Sequence, residues 1–406
     1  MPREPALPDL PPPTLVADQD GFEGLLEDLA GQKEIAFDTE ADSFFNYREK
    51  VCLIQVTVED RDYLIDPLSD IDVSGLGKVF ADPKRTKVFH DGEYDVLILK
   101  RDFGFEFAGL FDTRIAAAAL GQASPGLASV LSNRFGVELD KSMQRSNWSR
   151  RPLSPQQISY ARLDTRYLLP LMHEQRKELA SAERDMIVEG ECRRLEALKP
   201  SDRTFQPDDF IRIKGARLLT PTQMQRLREL FIYRDKQAES RDLPPFKILS
   251  NKALLSLAAN GARTEKALAE VDGISPKQAK RLGSGILKAL KRAADKGPLP
   301  KIPRPPAKDG TNHLGDEGIE LHERLKNWRK RRAEKEGLDS SLVLNRHVLL
   351  RLAEKRPREG KKLESIDGLL SWQVDLFGDE ILRVVTDFES DLKSGQLKLN
   401  HRRRRK

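Results

Sequence analysis

The amino-acid sequence predicts an α/β domain with a mixed sheet, followed by two all-α helical domains. Two observations carry this. Strand-like and helix-like segments alternate through the first half of the 406 residues, and a helical unit repeats at one constant spacing downstream. TLVAD and EIAFDTE read as strands around the helix-like DGFEGLLEDLA. VCLIQVTVE and DYLIDPL are two further strands joined by the polar turn DRD. His90 closes another strand. GEYDVLILKRDFG is amphipathic and helical, and DTRIAAAALG is an alanine-rich helix ending at Gly121, with Asp112 as its N-cap. From Ser154 to about Ala197 the pattern is mostly long helix. Strands with helices interleaved give a mixed sheet.

Downstream, a shift of 95 residues takes Tyr233-Arg234 to Trp328-Arg329 and Ile248-Leu249-Ser250 to Val343-Leu344-Asn345. The same shift takes Val271-Asp272-Gly273 to Ile366-Asp367-Gly368. One ungapped offset means two copies of a small helical unit. The expected organisation is residues 1–200, a first copy at 211–295, a Pro/Lys-rich linker at 296–315, a second copy at 316–392 and a basic tail at 393–406.

Charged residues make up 33% and mean hydropathy is −0.56, so a soluble protein is expected. No apolar run is long enough for a membrane span. The proline-rich N-terminus lacks the apolar core of a secretory signal. Cys52 and Cys192 cannot build a disulfide framework. A cytoplasmic location is the default expectation. The net charge of +6 hides an asymmetry: residues 1–200 carry 25 Lys+Arg against 35 Asp+Glu, and the remainder 45 against 29. An acidic half that chelates metals and a basic half that holds a polyanion would account for it.

Five residues in three blocks carry the chemistry: Asp38 and Glu40 in IAFDTEAD, Asp95 in FHDGEYDVLIL, and Tyr160 with Asp164 in YARLDTRYLLPL. Residues two apart on a strand share a face, so Asp38 and Glu40 project together. Residues four apart on a helix stack, so Tyr160 and Asp164 also project together. Clustered carboxylates are costly unless something positive lies between them. Hard divalent cations, bound by oxygen, resolve that cost.

This trio of blocks resembles the DEDD exonuclease superfamily, in the subgroup with tyrosine in its third block. Each helical copy is similar to an HRDC domain. The first matches better; in the second, Gly337-Leu338-Asp339-Ser340-Ser341 replaces the Asp-x-Pro turn. No Walker A loop is present, which excludes the helicase branch; no nucleotide cofactor is expected. A nuclease block followed by two such copies resembles the ribonuclease D family over nearly the whole chain. The resemblance implies an RNase H-like 3′–5′ exonuclease domain that hydrolyses the terminal phosphodiester and releases 5′-mononucleotides. It implies two divalent ions, Mg²⁺ or Mn²⁺, about 4 Å apart, held by Asp38, Glu40, Asp95 and Asp164. Tyr160 would aim the attacking water, since a phenol with pKa near 10 is a poor base. The expected partner is RNA with a free 3′ end, tRNA precursors among them. A 3′–5′ DNA exonuclease is the alternative; a degenerate RNA-binding scaffold would lack a carboxylate, and none is missing.

Residues 139–154 set Lys141 and Arg145 around Trp148. Such a mixture suits a single strand, with cations on phosphates and a ring for a base to stack on. The other reading is a loop whose tryptophan is tucked into the core. The terminal HRRRRK would add sequence-blind affinity for RNA or serve as a solubilising end.

Overall fold

The computed structural model describes residues 11–200, 204–303 and 314–395, which fall into two compact units. The described part of one comprises 11–40, 51–200 and 314–395; that of the other comprises 41–50 and 204–303. Half of the Pro/Lys-rich linker and the whole HRRRRK tail lie outside the described residues.

The first unit is built on a six-stranded sheet in the order β1-β4-β3-β2-β5-β6. Its strands are β1 (Thr14–Val16), β2 (Glu34–Ala41), β3 (Val51–Val58), β4 (Arg61–Ile65), β5 (Thr86–Phe89) and β6 (Leu110–Asp112). β3 and β4 are antiparallel, whereas β1–β4, β2–β5 and β5–β6 are parallel, so the sheet is mixed as expected. Every residue of β3 is buried, as are Ile35, Ala36 and Phe37 of β2. Strands covered on both faces read as continuous apolar runs, which is how VCLIQV and EIAF stand out in the sequence. β6 has only three residues, too few for any periodicity to register.

Around the sheet lie α1 (Gln19–Ala30), α2 (Leu76–Ala81), α3 (Glu93–Phe103), α4 (Thr113–Ala119), α5 (Leu127–Phe135), α6 (Pro155–Arg166), α7 (Leu168–Ser181) and α8 (Asp185–Glu196). The long helix expected from Ser154 is therefore three helices. Ser154 starts the first with a capping box to Gln157. Pro170 ends it: it has no N–H for the Arg166 carbonyl, and its ring would clash there. Glu183, with φ +55, separates α7 from α8.

The helical repeat is present twice. In the second unit it runs α9 (Pro221–Glu239), α10 (Pro245–Ile248), α11 (Asn251–Asn260), α12 (Glu265–Ala269) and α13 (Pro276–Lys296). In the first unit it runs α14 (Asp316–Glu336), α15 (Ser340–Val343), α16 (Arg346–Lys355), α17 (Gly360–Glu364) and α18 (Ser371–Lys393). All five helices start at the 95-residue offset. Shared hydrogen bonds explain the shared signature. Arg234 Nη1 donates to Leu249 O at 3.2 Å, and Arg329 Nη1 to Leu344 O at 2.8 Å. Gln278 reaches Ile248 O and Gln373 reaches Val343 O, both at 3.2 Å. The divergent turn has a reason too. Its key position is left-handed in both copies, Asp242 with φ +46 and Gly337 with φ +63, and glycine adopts that conformation without strain.

In the second unit, residues 41–50 pack on α9: the Tyr47 hydroxyl donates to Asp235 at 2.9 Å, and its N–H to Asp242 at 3.0 Å. In the first unit, the second repeat shares one hydrophobic core with the sheet domain. Ala116, Leu168, Met172 and Val188 belong to the same cluster as Leu325, Trp328, Leu349 and Phe377. Trp372 lies so close to Gly190 of α8 that a Cβ there would fall 2.1 Å from its Cδ1. Arg184 ties the two together, donating to Ala119 O at 2.7 Å and Glu336 O at 2.5 Å.

Candidate active site

The central strand, the helix after β5 and the capped helix α6 deliver the five acidic-block residues. β2 carries Asp38 and Glu40 on one face, α3 carries Asp95 in its first turn, and α6 carries Tyr160 one turn before Asp164. Carboxylate oxygens of Asp38, Glu40 and Asp164 lie within 4.8 Å of one another. Asp95 falls outside that tight set. It is 6% exposed and accepts a short hydrogen bond from the Thr39 hydroxyl. Its charge nonetheless bears on Asp38, Glu40 and Asp164.

The electrostatics follow from that crowding. Burial, then the charges of Asp95, Asp164 and Glu40, push the Asp38 carboxyl well above the usual range. Burial and then Asp164 and Asp95 push Glu40 up to about 9. Asp164 is raised to about 7, chiefly by burial and despite the Tyr160 hydroxyl that donates to it. Asp95 is raised to about 6 by burial, with the Thr39 hydroxyl opposing. The Tyr160 phenol is raised beyond its ordinary value by burial and by Asp164, Glu40 and Asp38, so it stays protonated. None of the four carboxylates has an ion-pair partner among the described residues. Crowded carboxylates, two buried and two half-buried, are unstable as a set without a counter-charge, and an all-oxygen donor group suits a hard divalent cation.

Two supporting residues stand behind this set. Asp112 has both its oxygens in use: Oδ1 accepts from the N–H of Asp91, Arg114 and Ile115, and Oδ2 from Gly92 N–H at 2.8 Å. It therefore caps α4 and also pins the turn that launches α3, where Asp91 has φ +63. Its expected capping role holds; the second attachment, between residues some 20 apart in sequence, left no local signal. Thr39 is the other, visible in the sequence only as the spacer between two acids. His90 sits nearby with Nδ1 2.9 Å from Thr113 Oγ1, and burial pushes its pKa down to about 4, which leaves the imidazole neutral.

Trp148 requires a correction. It is 1% exposed, enclosed with Cys52, Leu53, Leu64 and Ala161, and lies 6.0 Å from the Tyr160 ring. No face is open for a base, so its contribution is to pack behind Tyr160. Lys141 and Arg145 are exposed on the short 3₁₀ turn Lys141–Arg145. Arg151, in the same basic stretch, is structural: it clasps Asp66 and donates to the carbonyls of Cys52 and Trp148 at 2.7 Å. Among the described residues no helix is long and apolar enough to cross a membrane.

Known proteins share this architecture. The 3′-5′ exonuclease family profile matches residues 13–180, and the HRDC domain profile matches 223–290 and 319–385. Ribonuclease D of Haemophilus influenzae is 34% identical over 65% of this chain and 67% of that protein. Ribonuclease D of Gluconacetobacter diazotrophicus is 31% identical over 72% and 75%. The crystal structure of Escherichia coli RNase D, described as an exoribonuclease involved in structured RNA processing, is 26% identical. It covers 92% of this chain and 99% of that one with a TM-score of 0.67. A likeness that runs through the sheet domain and both helical repeats leaves one assignment: this chain belongs to the ribonuclease D family of 3′–5′ exoribonucleases.

Proposed function

We propose that the chain removes nucleotides one at a time from the 3′ ends of structured RNAs, tRNA precursors among them. The observation that carries this reading is the cluster of carboxylates of Asp38, Glu40 and Asp164, the first two half-buried and the third buried, with oxygens within 4.8 Å of one another and no ion-pair partner among the described residues. Asp38, Glu40, Asp95 and Asp164 would hold two divalent cations, Mg²⁺ or Mn²⁺. When bound, such ions lower the pKa of water and stabilise developing charge on phosphodiester oxygens.

The chain's own groups do the rest. Four carboxylates balance the charge of two divalent cations, so neither repulsion nor an unpaired buried charge remains. Tyr160 stays protonated and donates to Asp164, which fixes its ring one helical turn from the ligand. A phenol held in that state cannot act as a base; it orients the attacking water by hydrogen bonding. Trp148 behind the ring prevents it from swinging away. Thr39, by donating to Asp95, keeps that carboxylate aimed and ionised.

The test compares matched RNA and DNA oligomers, with free or phosphorylated 3′ ends, with Mg²⁺ and with a chelator. RNA with a free 3′ end is expected to shorten by single nucleotides only with the metal, and Asp164→Asn is expected to abolish this while RNA binding persists. Wild-type turnover by Asp164→Asn would refute the site. Faster cutting of DNA than RNA would favour the repair-type alternative.

A further inference from the structure

We propose that the solvent face of α13, the last helix of the first repeat, reads the phosphate backbone of single-stranded RNA, and that the second repeat has no equivalent surface. The proposal rests on the exoribonuclease reading above. Lys277, Arg281, Ser284, Lys288 and Lys291 follow one another at steps of four, three, four and three, so they project from one side of the helix, with Lys280 beside them. All five basic residues are exposed, and none has an ion-pair or hydrogen-bond partner among the described residues. Arg292 and Lys296, by contrast, close onto the buried Glu229 at 3.2 and 2.7 Å. At 1.5 Å per residue the stripe is about 21 Å long, enough to follow several phosphates. The opposite side of α13 is locked into the core by Leu282, Ile286 and Ala289, so the helix cannot turn its cations away from solvent.

The second repeat supplies an internal control. The 95-residue shift puts Trp372, Asp375, Leu376, Asp379, Arg383 and Thr386 at the positions of the six residues of the stripe. One cation now faces two carboxylates. Trp372, which stands where Lys277 stands, is buried against Gly190 of α8. The same helix in the same fold thus forms without the cations, and stability of the repeat does not account for them. A row of uncompensated charges repels itself, and a polyanion is the partner that turns that repulsion into affinity. Lysine and arginine spaced along a helix touch phosphates rather than base edges, so the binding is sequence-blind.

The experiment measures binding of an unstructured oligoribonucleotide to the full chain in chelator, where no cleavage occurs, over a salt series. For Lys280→Gln/Arg281→Gln/Lys288→Gln the slope of log affinity against log salt is expected to fall by about 2, since each contact on a single strand contributes about 0.7. Arg383→Gln, in the second repeat, is expected to leave the slope unchanged. The pair Lys277→Gln/Lys291→Gln, at the ends of the stripe, is expected to lower the slope by about 1.4 on the same basis, so the test survives if the triple variant folds poorly. Unchanged slopes in variants that melt like the wild type would overturn the proposal, as would an equal fall in Arg383→Gln. Failure of the nuclease reading would look different: no Mg²⁺-dependent shortening by the wild type, whatever the slopes.

Discussion

Thr39 stands between two acids in sequence, yet it is the residue that tells Asp95 apart from its neighbours. Its hydroxyl donates to Asp95, and Asp95 is the least perturbed of the four carboxyls, at about 6 against about 9 for Glu40. The shared face of Asp38 and Glu40 and that of Tyr160 and Asp164 were legible in the sequence, because periods of two and 3.6 act within one element. The Thr39 contact was not, since it joins residues 56 apart. Trp148 shows a different limit. A buried indole and a base-stacking indole sit among the same basic neighbours, and only burial separates them. Tyr160→Phe is expected to lower kcat by about 10²-fold or more, the usual loss for one aimed hydrogen bond. Mn²⁺ affinity should change little, because the phenol is not a ligand. A kcat within a few-fold of the wild type in single-turnover measurements would remove Tyr160 from the mechanism.

Among the elements, β2 and β3 announce themselves through apolar composition, and α6 through the helical pattern that begins at Ser154; β6 and the break at Tyr167 do not. The first is too short to show a pattern, and the second depends on a proline whose effect falls four residues upstream. Asp112 joins two elements that the sequence presents separately. One carboxylate satisfies four backbone N–H groups, at the starts of α3 and α4, and α3 brings Asp95 to the site. Asp112→Ala is expected to cost about 3 kcal/mol, as a lost cap and stranded buried donors together imply. Activity should fall further than stability alone requires, because Asp95 loses its anchor. Asp112→Asn keeps the oxygen that caps α4 but sets an amide against Gly92 N–H, so it should fall between the two. Thermal melting and kcat measured on the same preparations check this; a wild-type kcat in a destabilised Asp112→Ala would separate Asp112 from the site.

Across the whole molecule, the sequence divided acidic from basic halves and revealed both repeats, since composition and a constant offset need no three-dimensional knowledge. It could not show that the second repeat shares its core with the sheet domain, because the apolar residues that join them, Trp372 among them, have no period that names a partner. Nor could it show that carboxyls from three elements meet with no ion-pair partner among the described residues. Titration of the metal-free chain with Mn²⁺ by calorimetry, in buffers of different ionisation enthalpy, tests that meeting directly. Glu40, raised to about 9, and Asp164, raised to about 7, hold protons near neutral pH that a bound cation must displace. The predicted result is Mn²⁺ binding with proton release, strengthening as pH rises from 6 toward 9 and lost in Asp38→Ala. Binding without proton release, or binding that survives in Asp38→Ala, would contradict it.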